Sequence, residues 1–360
     1  MSNPVRMHYD SYPYPHYPLI ASVRRCDTYA LNLLAIWARF NNKLPSIEEK
    51  NILIAGCGTF APYPWSVANP DAHITALDLS DRSLRRARWH CALHGRHNIS
   101  YSCGDLSDST VINGDYGLID SFGVLHHLED PLAGLKVLER HLVPGGILRI
   151  MLYSRYARRE EESIRRAFKL LGVDSPRKAR RLLNKAAAGS RLASYLTASD
   201  EPATVSGLAD ALLHPLVRTY RIDGVLEMIA NTDLELLLFA HRDANENPKE
   251  EIVRIRNLEK TGMSPGNFVL YLGKNIKRTG PIASESMIQL NPCLISAVGI
   301  FKFGNLLIPP RLGSDNPLLA GSDRKFLRQF VTPVRRSELS SDDKNRVAVY
   351  KRLLFLIEYT

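Results

Sequence analysis

An α/β fold built on a mostly parallel sheet, with helices on both faces, is what the sequence predicts, on three observations. Between positions 50 and 155 short apolar runs alternate with helical patterns about every 25 residues, the rhythm of βαβ units. Glycines or acids follow the ends of several of these runs, where such sheets keep their loops. At 360 residues, 45% hydrophobic and 23% charged, the chain has the composition of an ordinary globular protein with room for a large core.

Taken in order, residues 1–22 form an aromatic and proline-rich arm in which Tyr9, Tyr12, Tyr14 and Tyr17 interleave with Pro13, Pro15 and Pro18. Alternate prolines favour an extended path over a helix, and the tyrosines suit an arm packed on the body, over a ligand site or simply on the surface. Asp27 to Phe40 has helical apolar spacing and a plausible cap. Ile52 to Ala55 reads as a buried strand ending in the turn Gly56-Cys57-Gly58, and Ile74 to Leu79 as a second strand with Asp78 at its end. That pairing suits a nucleotide-like ligand: backbone under one end, a carboxylate for ribose hydroxyls.

Further on, Asp81 to Leu93 is helical, Asn98 to Cys103 a third strand and Tyr116 to Phe122 a fourth. Pro131 to Leu142 is a helix, Pro144-Gly145-Gly146 a tight turn and Ile147 to Tyr153 a fifth strand. Residues 154–230 read as polar helices broken near Pro176, Gly189, Pro202 and Pro215. Leu234 to Ala240 and Asn267 to Gly273 are two more strands, the second the expected edge strand, returning antiparallel. From about residue 278 a C-terminal segment follows, ending in a helix with Val347, Tyr350, Leu353, Leu354 and Ile357 on one side.

The bounds on function are broad. No run of about 18 apolar residues is present, so no membrane span is expected. The first residues lack a basic-then-apolar leader pattern, and five scattered cysteines without C-x-x-C spacing suit a reducing compartment, with cytoplasm the expectation. No metal-ligand spacing is evident. The net charge of +10 is uneven: between Arg155 and Arg191 stand twelve Lys/Arg against four acids. Such a segment is either a solvated helical face or a surface for an anionic macromolecule.

Five stretches, ILIAGCGT, ITALDLS, SCGDLSD, LIDSFGVLHHLEDP and LVPGGILRIMLYS, occur in this order at ordinary spacing. With them the chain resembles class I S-adenosylmethionine-dependent methyltransferases, and LELLLFA and NFVLYLG fit that family's last two strands. The resemblance implies a Rossmann-like, seven-stranded sheet over residues 50–277. It would carry a helical basic insertion at about 155–230, an arm and helix over 1–49 before it and an extension over 278–360 after it. The arm and the HP-x-x-R-x-Y stretch are also similar to bacterial methyltransferases joined to tetratricopeptide repeats, though no such repeat is found here.

The same resemblance implies S-adenosylmethionine as cofactor and assigns residues. Gly56, Cys57 and Gly58 would lie against its methionine and ribose part; Asp78, with Leu79 beside it, would accept from the ribose hydroxyls. Asp105 and the backbone of Leu106 would meet the adenine; Asp105 alternatively caps the turn that follows it. Gly123, Val124 and Leu125 would line the floor where methyl transfer occurs. Two positions depart from the family pattern, since many members carry an acid and a third glycine where this chain has Ile54 and Phe60.

For chemistry, His126 and His127 are candidate bases, titrating near neutral pH, or else residues of packing and helix start. His214, Arg218 and Tyr220 precede the sixth strand on the side that faces the acceptor in this family, and together with Tyr12 and Tyr14 of the arm are candidate substrate residues. The segment after the fourth strand lacks the prolines typical of enzymes that methylate exocyclic amines of nucleobases or glutamine amides, which disfavours that acceptor class. Three functions stay open: methyl transfer to a small molecule, methyl transfer to a protein or RNA docked through the basic insertion, and cofactor binding without catalysis.

Overall fold

The computed structural model describes residues 3–108, 110–276, 285–300 and 304–360. A seven-stranded sheet is formed by β1 (Asn51–Ala55), β2 (His73–Asp78), β3 (Ile99–Cys103), β4 (Tyr116–Phe122), β5 (Leu142–Leu152), β6 (Leu234–Phe239) and β7 (Phe268–Lys274). Their spatial order is β3-β2-β1-β4-β5-β7-β6. The first five run parallel, and β7 pairs antiparallel with both β5 and β6, so β6 and not the expected β7 stands at the edge. The order reverses direction at β1, which lies between β2 and β4; that reversal opens a crevice at the strands' carboxyl ends.

Strand alternation sends Ile52 and Ile54 to one apolar cluster and Leu53 and Ala55 to the other, so β1 is buried on both faces. The covering helices start where the sequence supplies caps. Helix α1 is Pro4–Ser11, α2 Leu33–Asn41, α3 Pro62–Ala68, α4 Asp81–Leu93 and α5 Pro131–Arg140. Ser80 caps α4 by accepting from Ser83 N–H, and Asp130 caps α5 by accepting from Ala133 N–H, ahead of Pro131.

Between β5 and β6 lie α6 (Arg159–Leu170), α7 (Pro176–Leu183), α8 (Arg191–Ala198), α9 (Val205–Leu213) and α10 (Ile222–Ala230). Phe168, Leu183, Tyr195, Leu208 and Leu212 give this insertion an apolar cluster of its own. Helix α11 (Pro248–Lys260) joins β6 to β7.

Four local expectations are corrected. The arm is not extended throughout: Asn3 accepts from Val5 and Arg6 N–H and starts α1, because Pro4 occupies a first-turn position and the alternating prolines begin only at Pro13. The helix expected over 27–40 is broken at Asn32. A 3₁₀ turn, Arg25–Leu31, precedes it, and Asn32 caps α2 while donating to the Ala68 carbonyl. Pro144-Gly145-Gly146 lies inside β5, at a register irregularity opposite Tyr116 to Leu118, rather than before the strand.

The fourth correction concerns the C-terminus. Helix α13 (Ser341–Arg352) ends at Leu353 and Leu354, and Ile357 lies on strand β10 (Leu356–Tyr359). With β8 (Met287–Leu290) and β9 (Val334–Arg335) it makes a second, antiparallel sheet in the order β10-β8-β9, and α12 (Gly321–Arg328) lies between β8 and β9 in the chain. The expected boundary near 278 falls outside the described residues.

Phe326, Phe330, Val347, Phe355 and Ile357 share one apolar cluster with Ile52, Ile54 and Trp37. Asn291 ties the two parts. Its amide donates to Tyr29 and Leu354 carbonyls at 3.0 and 2.7 Å, and its oxygen accepts from Cys293 N–H at 3.0 Å. Among the described residues no helix is long and apolar enough to cross a membrane.

Replacing Asn291 by Ala removes its three buried hydrogen bonds, to the Tyr29 and Leu354 carbonyls and from Cys293 N–H, and is expected to cost about 3 kcal/mol. Urea unfolding should show one transition moved to lower urea for the whole chain; a separate early transition of the C-terminal segment would contradict the shared core.

Candidate active site

The crevice begins at the turn after β1. Gly56 and Cys57 N–H both donate to the Leu77 carbonyl, at 2.8 and 2.9 Å, which folds the turn onto the end of β2. Gly56 has φ +78° and Gly58 φ +56°, and neither has room for a side chain. A Cβ on Gly56 would stand 2.2 Å from Val124 Cγ2, and one on Gly58 2.6 Å from the Tyr14 carbonyl oxygen. Gly58 N–H donates to Asp78 Oδ2 at 2.7 Å and Ser80 N–H to Oδ1 at 2.9 Å. Burial outweighs these two bonds and pushes the Asp78 carboxyl up to about 6.

A cavity of about 790 Å³ opens above this turn. Gly56, Cys57 and Gly58 from β1, Asp78 and Leu79 from β2, Asp105 and Leu106 after β3, and Gly123 and Val124 after β4 all line it. These nine residues expected at the cofactor therefore meet in one space, whereas Leu125 is buried in the apolar core and does not line it. The Asp105 carboxylate is already engaged: Oδ1 accepts from Ser107 N–H and Oγ, and Oδ2 from Asn3 Nδ2 at 2.9 Å.

Asn3 belongs to the arm, which supplies the cavity's outer wall through Val5, Tyr9, Tyr14, Pro15 and Tyr17. The arm is fastened residue by residue. Ser80 Oγ donates to Asp10 Oδ1 at 2.6 Å, Arg82 to the Asp10 carbonyl at 2.7 Å, and Thr59 N–H to the Tyr14 carbonyl at 3.2 Å. Arg86 donates to the Tyr17 carbonyl. Phe60 lies in the same fastening: its ring centroid is 4.4 Å from Tyr17 and 5.0 Å from His90. The large side chain in place of a third glycine thus packs under the arm.

At the β4 end of the cavity the histidines separate. His126 is fully buried, stacks on Tyr153 at 3.8 Å, has no hydrogen-bond partner on either ring nitrogen and does not line the cavity. His127 lines it. Its Nδ1–H donates to the Leu216 carbonyl at 2.8 Å, so the lone pair is on Nε2, and burial lowers its pKa to about 4.

Beside it Tyr9 OH donates to Asp210 Oδ1 at 3.0 Å; both line the cavity, and burial pushes the Asp210 carboxyl up to about 6. Tyr153, Arg158 and Glu201 complete this wall, with Arg158 held by Glu201 at 2.8 and 3.0 Å and by Glu161 at 3.1 Å.

Of the other expected substrate residues only Tyr14 reaches the cavity. Tyr12 packs on His8, with ring centroids 5.5 Å apart. Arg218 turns to the Leu128 and Glu129 carbonyls at 3.3 and 2.7 Å, and Tyr220 packs against the apolar cluster on one face of the sheet. His214 is buried behind His127, 3.8 Å away between ring centroids.

One ligand-type atom each of His127, Asp210 and His214 lies within 4.8 Å of the others. His214 Nδ1, however, accepts from Leu216 N–H at 3.1 Å, which puts the neutral ring's proton on Nε2. The cluster therefore presents one donor and two acceptors, which suits hydrogen bonding better than three lone pairs on an ion. Sequence reasoning passed over Asp210, although it is the single charged residue of the apolar helix Val205–Leu213, and over Arg158 and Glu201, which stand at a helix start and in a 3₁₀ turn among other charged residues.

A methyltransferase-domain family matches residues 52–146. The chain carries a class I methyltransferase domain. An uncharacterised protein of Synechococcus sp. is 30% identical over 249 residues, covering 65% of this chain and 59% of the relative. A ubiquinone biosynthesis O-methyltransferase of Idiomarina loihiensis is 33% identical over 108 residues, 29% of this chain and 43% of that enzyme. The chain thus spans less than two thirds of the length of either relative. In three dimensions PKMT2 from Rickettsia typhi, solved in complex with AdoHcy, matches 96% of this chain and 77% of its own, with a TM-score of 0.57 at 14% identity. The likeness in fold therefore extends beyond the methyltransferase domain to nearly the whole chain.

The buried titratable groups set a sign for stability against pH. His8, His126, His127 and His214 are all pushed down by burial, so they stay neutral in the fold and charge on unfolding below pH about 6.5. Their contribution is present above that pH and is lost as pH falls. Asp78 and Asp210 act oppositely, staying protonated in the fold up to about 6. Four histidines against two acids leave a net uptake of about two protons on unfolding near pH 5, about 3 kcal/mol per pH unit. Urea midpoints are expected to fall steeply between pH 6.5 and 5, and His214→Gln should make that slope shallower.

Proposed function

We propose that the chain is an S-adenosylmethionine-dependent methyltransferase that methylates a hydroxyl or amine of a small molecule. The observation that carries this reading is the convergence of nine residues from four strand ends on one cavity whose far wall holds Asp210, Tyr9 and His127. The cofactor fits the residues present, because the glycine turn, the Asp78 carboxylate and the ends of β3 and β4 border one cavity of about 790 Å³. The AdoHcy bound to PKMT2, a protein of like fold, supports the same cofactor here.

In this reading Asp78 holds the ribose hydroxyls, keeping lone pairs beyond its two backbone bonds. With the Asp105 carboxylate occupied by Ser107 and Asn3, the adenine contact moves to the Leu106 backbone and the rim of Asp105. Bound S-adenosylmethionine supplies an electrophilic methyl group, and the protein's share is to align the acceptor and remove its proton.

The pKa values decide between the two bases. At about 4, His127 is a poor proton acceptor, whereas Asp210, at about 6, is ionised at pH 7 and stronger. Asp210 takes the acceptor's proton, held by Tyr9 OH. His127 Nε2 accepts a hydrogen bond from the acceptor and orients it; His126 has no part in the chemistry.

A protein or RNA acceptor docked through the basic insertion is the second reading, favoured by Leu170 and Leu171 standing 88% and 67% exposed near Arg166 and Lys169 on one end of α6. Labelled-methyl transfer into fractionated cell extract separates the readings. Label in small molecules is expected; label in polymer would establish the second reading, and tight cofactor binding with label nowhere would make the chain a non-catalytic binder. Asp210→Asn should lower transfer by about 100-fold or more while leaving cofactor affinity unchanged, and His127→Asn by about tenfold.

A further inference from the structure

One wall of the cavity carries a charged pair that the reading above leaves unused. Asp120 stands on β4 directly across the ladder from Ile54, and Arg149 is its register partner on β5. The guanidinium grips the carboxylate with two bonds, Nε to Oδ1 at 2.7 Å and Nη2 to Oδ2 at 3.1 Å, and Trp65 Nε1 adds a third to Oδ2 at 3.0 Å. Trp65 and Phe122 lie over the guanidinium at 5.4 and 4.9 Å from their ring centroids. The Asp120 side chain is 3% exposed and that of Arg149 16%, and both residues line the cavity.

A buried ion pair of this kind is weak support for stability, since removing two charges from water cancels most of the attraction. Its placement suggests another use. The position two residues before Gly56 holds Ile54 rather than an acid, so β1 brings no charge to the cavity there. The charge that is missing from β1 stands one strand over, on Asp120, and brings a cation with it. Asp120 occupies two of the five guanidinium N–H groups, and its grip fixes the plane in which the others point.

We propose that Arg149, held in place by Asp120, receives the carboxylate of the cofactor's amino-acid end. Asp120 is the positioning residue: it fixes the guanidinium plane and, with one charge of each sign at this wall, the pair matches a zwitterion rather than a free anion. The aromatic rings on Trp65 and Phe122 keep the guanidinium from turning away. This proposal rests on the cofactor reading above, and the test separates the two.

The probes are S-adenosylhomocysteine, which has the amino-acid end, and 5′-methylthioadenosine, which lacks it, both titrated calorimetrically into the full chain. Arg149→Met is expected to weaken S-adenosylhomocysteine by about 10- to 100-fold and leave 5′-methylthioadenosine unchanged, the range of one charge-assisted contact. Asp120→Asn should give a smaller loss of the same selectivity.

Because a lone buried Asp120 carboxylate can unfold the chain, the double variant Asp120→Asn/Arg149→Met, which leaves no unpaired charge, carries the measurement if the single variant does not fold. Equal affinities for both probes in wild type and double variant would make the pair structural and overturn the proposal, with the cofactor reading intact. Equal loss of both probes would also overturn it. Wild type binding neither probe would bring down the cofactor reading and this proposal together, and Asp78→Ala, expected to lose both probes, marks that case.

Discussion

The bond from Gly58 N–H to Asp78, 2.7 Å long, is the contact on which the rest of the site depends. It joins the turn after β1 to the end of β2, and it exists only because Gly56 and Gly58 take positive φ with no side chain in the way. The same turn lends Thr59 to the arm through the Tyr14 carbonyl. One short segment therefore shapes the cavity floor, positions the carboxylate at its wall and seats its cover. The order reversal of the sheet places this segment next to β4, so that Val124 fills the space a Gly56 side chain would need.

Much of the remaining structure compensates for departures near that turn. Phe60 borders the cavity, and its ring lies among Tyr17, Tyr63 and His90 and becomes part of the arm's seat. Arg82 and Arg86 of α4 donate to carbonyls of the arm. Ile54 contributes apolar packing to a cluster that runs from the sheet into the C-terminal extension, and the charge it lacks is present across the ladder on Asp120.

The extension itself is fixed by shared burial: Phe355 and Ile357 lie in the same cluster as Trp37 and Ile52, so the two sheets form one core.

Where periodicity and punctuation are local, the sequence was a good guide. The five parallel strands, the glycine turn and the acids after β2 and β3 were legible because a strand buried on both faces reads as a short apolar run. The errors occurred where neighbours in space overrule the pattern. Asn32 interrupts an apolar helix because its side chain bonds to Ala68, and Ile357 leaves helical spacing because it pairs with Gln289 on β8. His126 and His127 look alike in sequence, and only packing against Tyr153 and the Leu216 carbonyl separates the buried ring from the one facing the cavity.

By itself the sequence determined the succession of strands along the chain, the glycine turn with Asp78 and the stretch after β4 that borders the crevice, since each depends on residues a few positions apart. The tertiary structure alone decided which polar side chains share that crevice. Tyr9, His127 and Asp210 come from an arm, a turn and a helix, and their bonds exist only once the insertion and the arm have closed on the sheet. Asp120 and Arg149 meet only through the pairing of β4 with β5. The physical reason is the same in both cases: a hydrogen bond or ion pair between distant residues leaves no trace in spacing or composition, and its geometry is set by the backbones that carry the two partners.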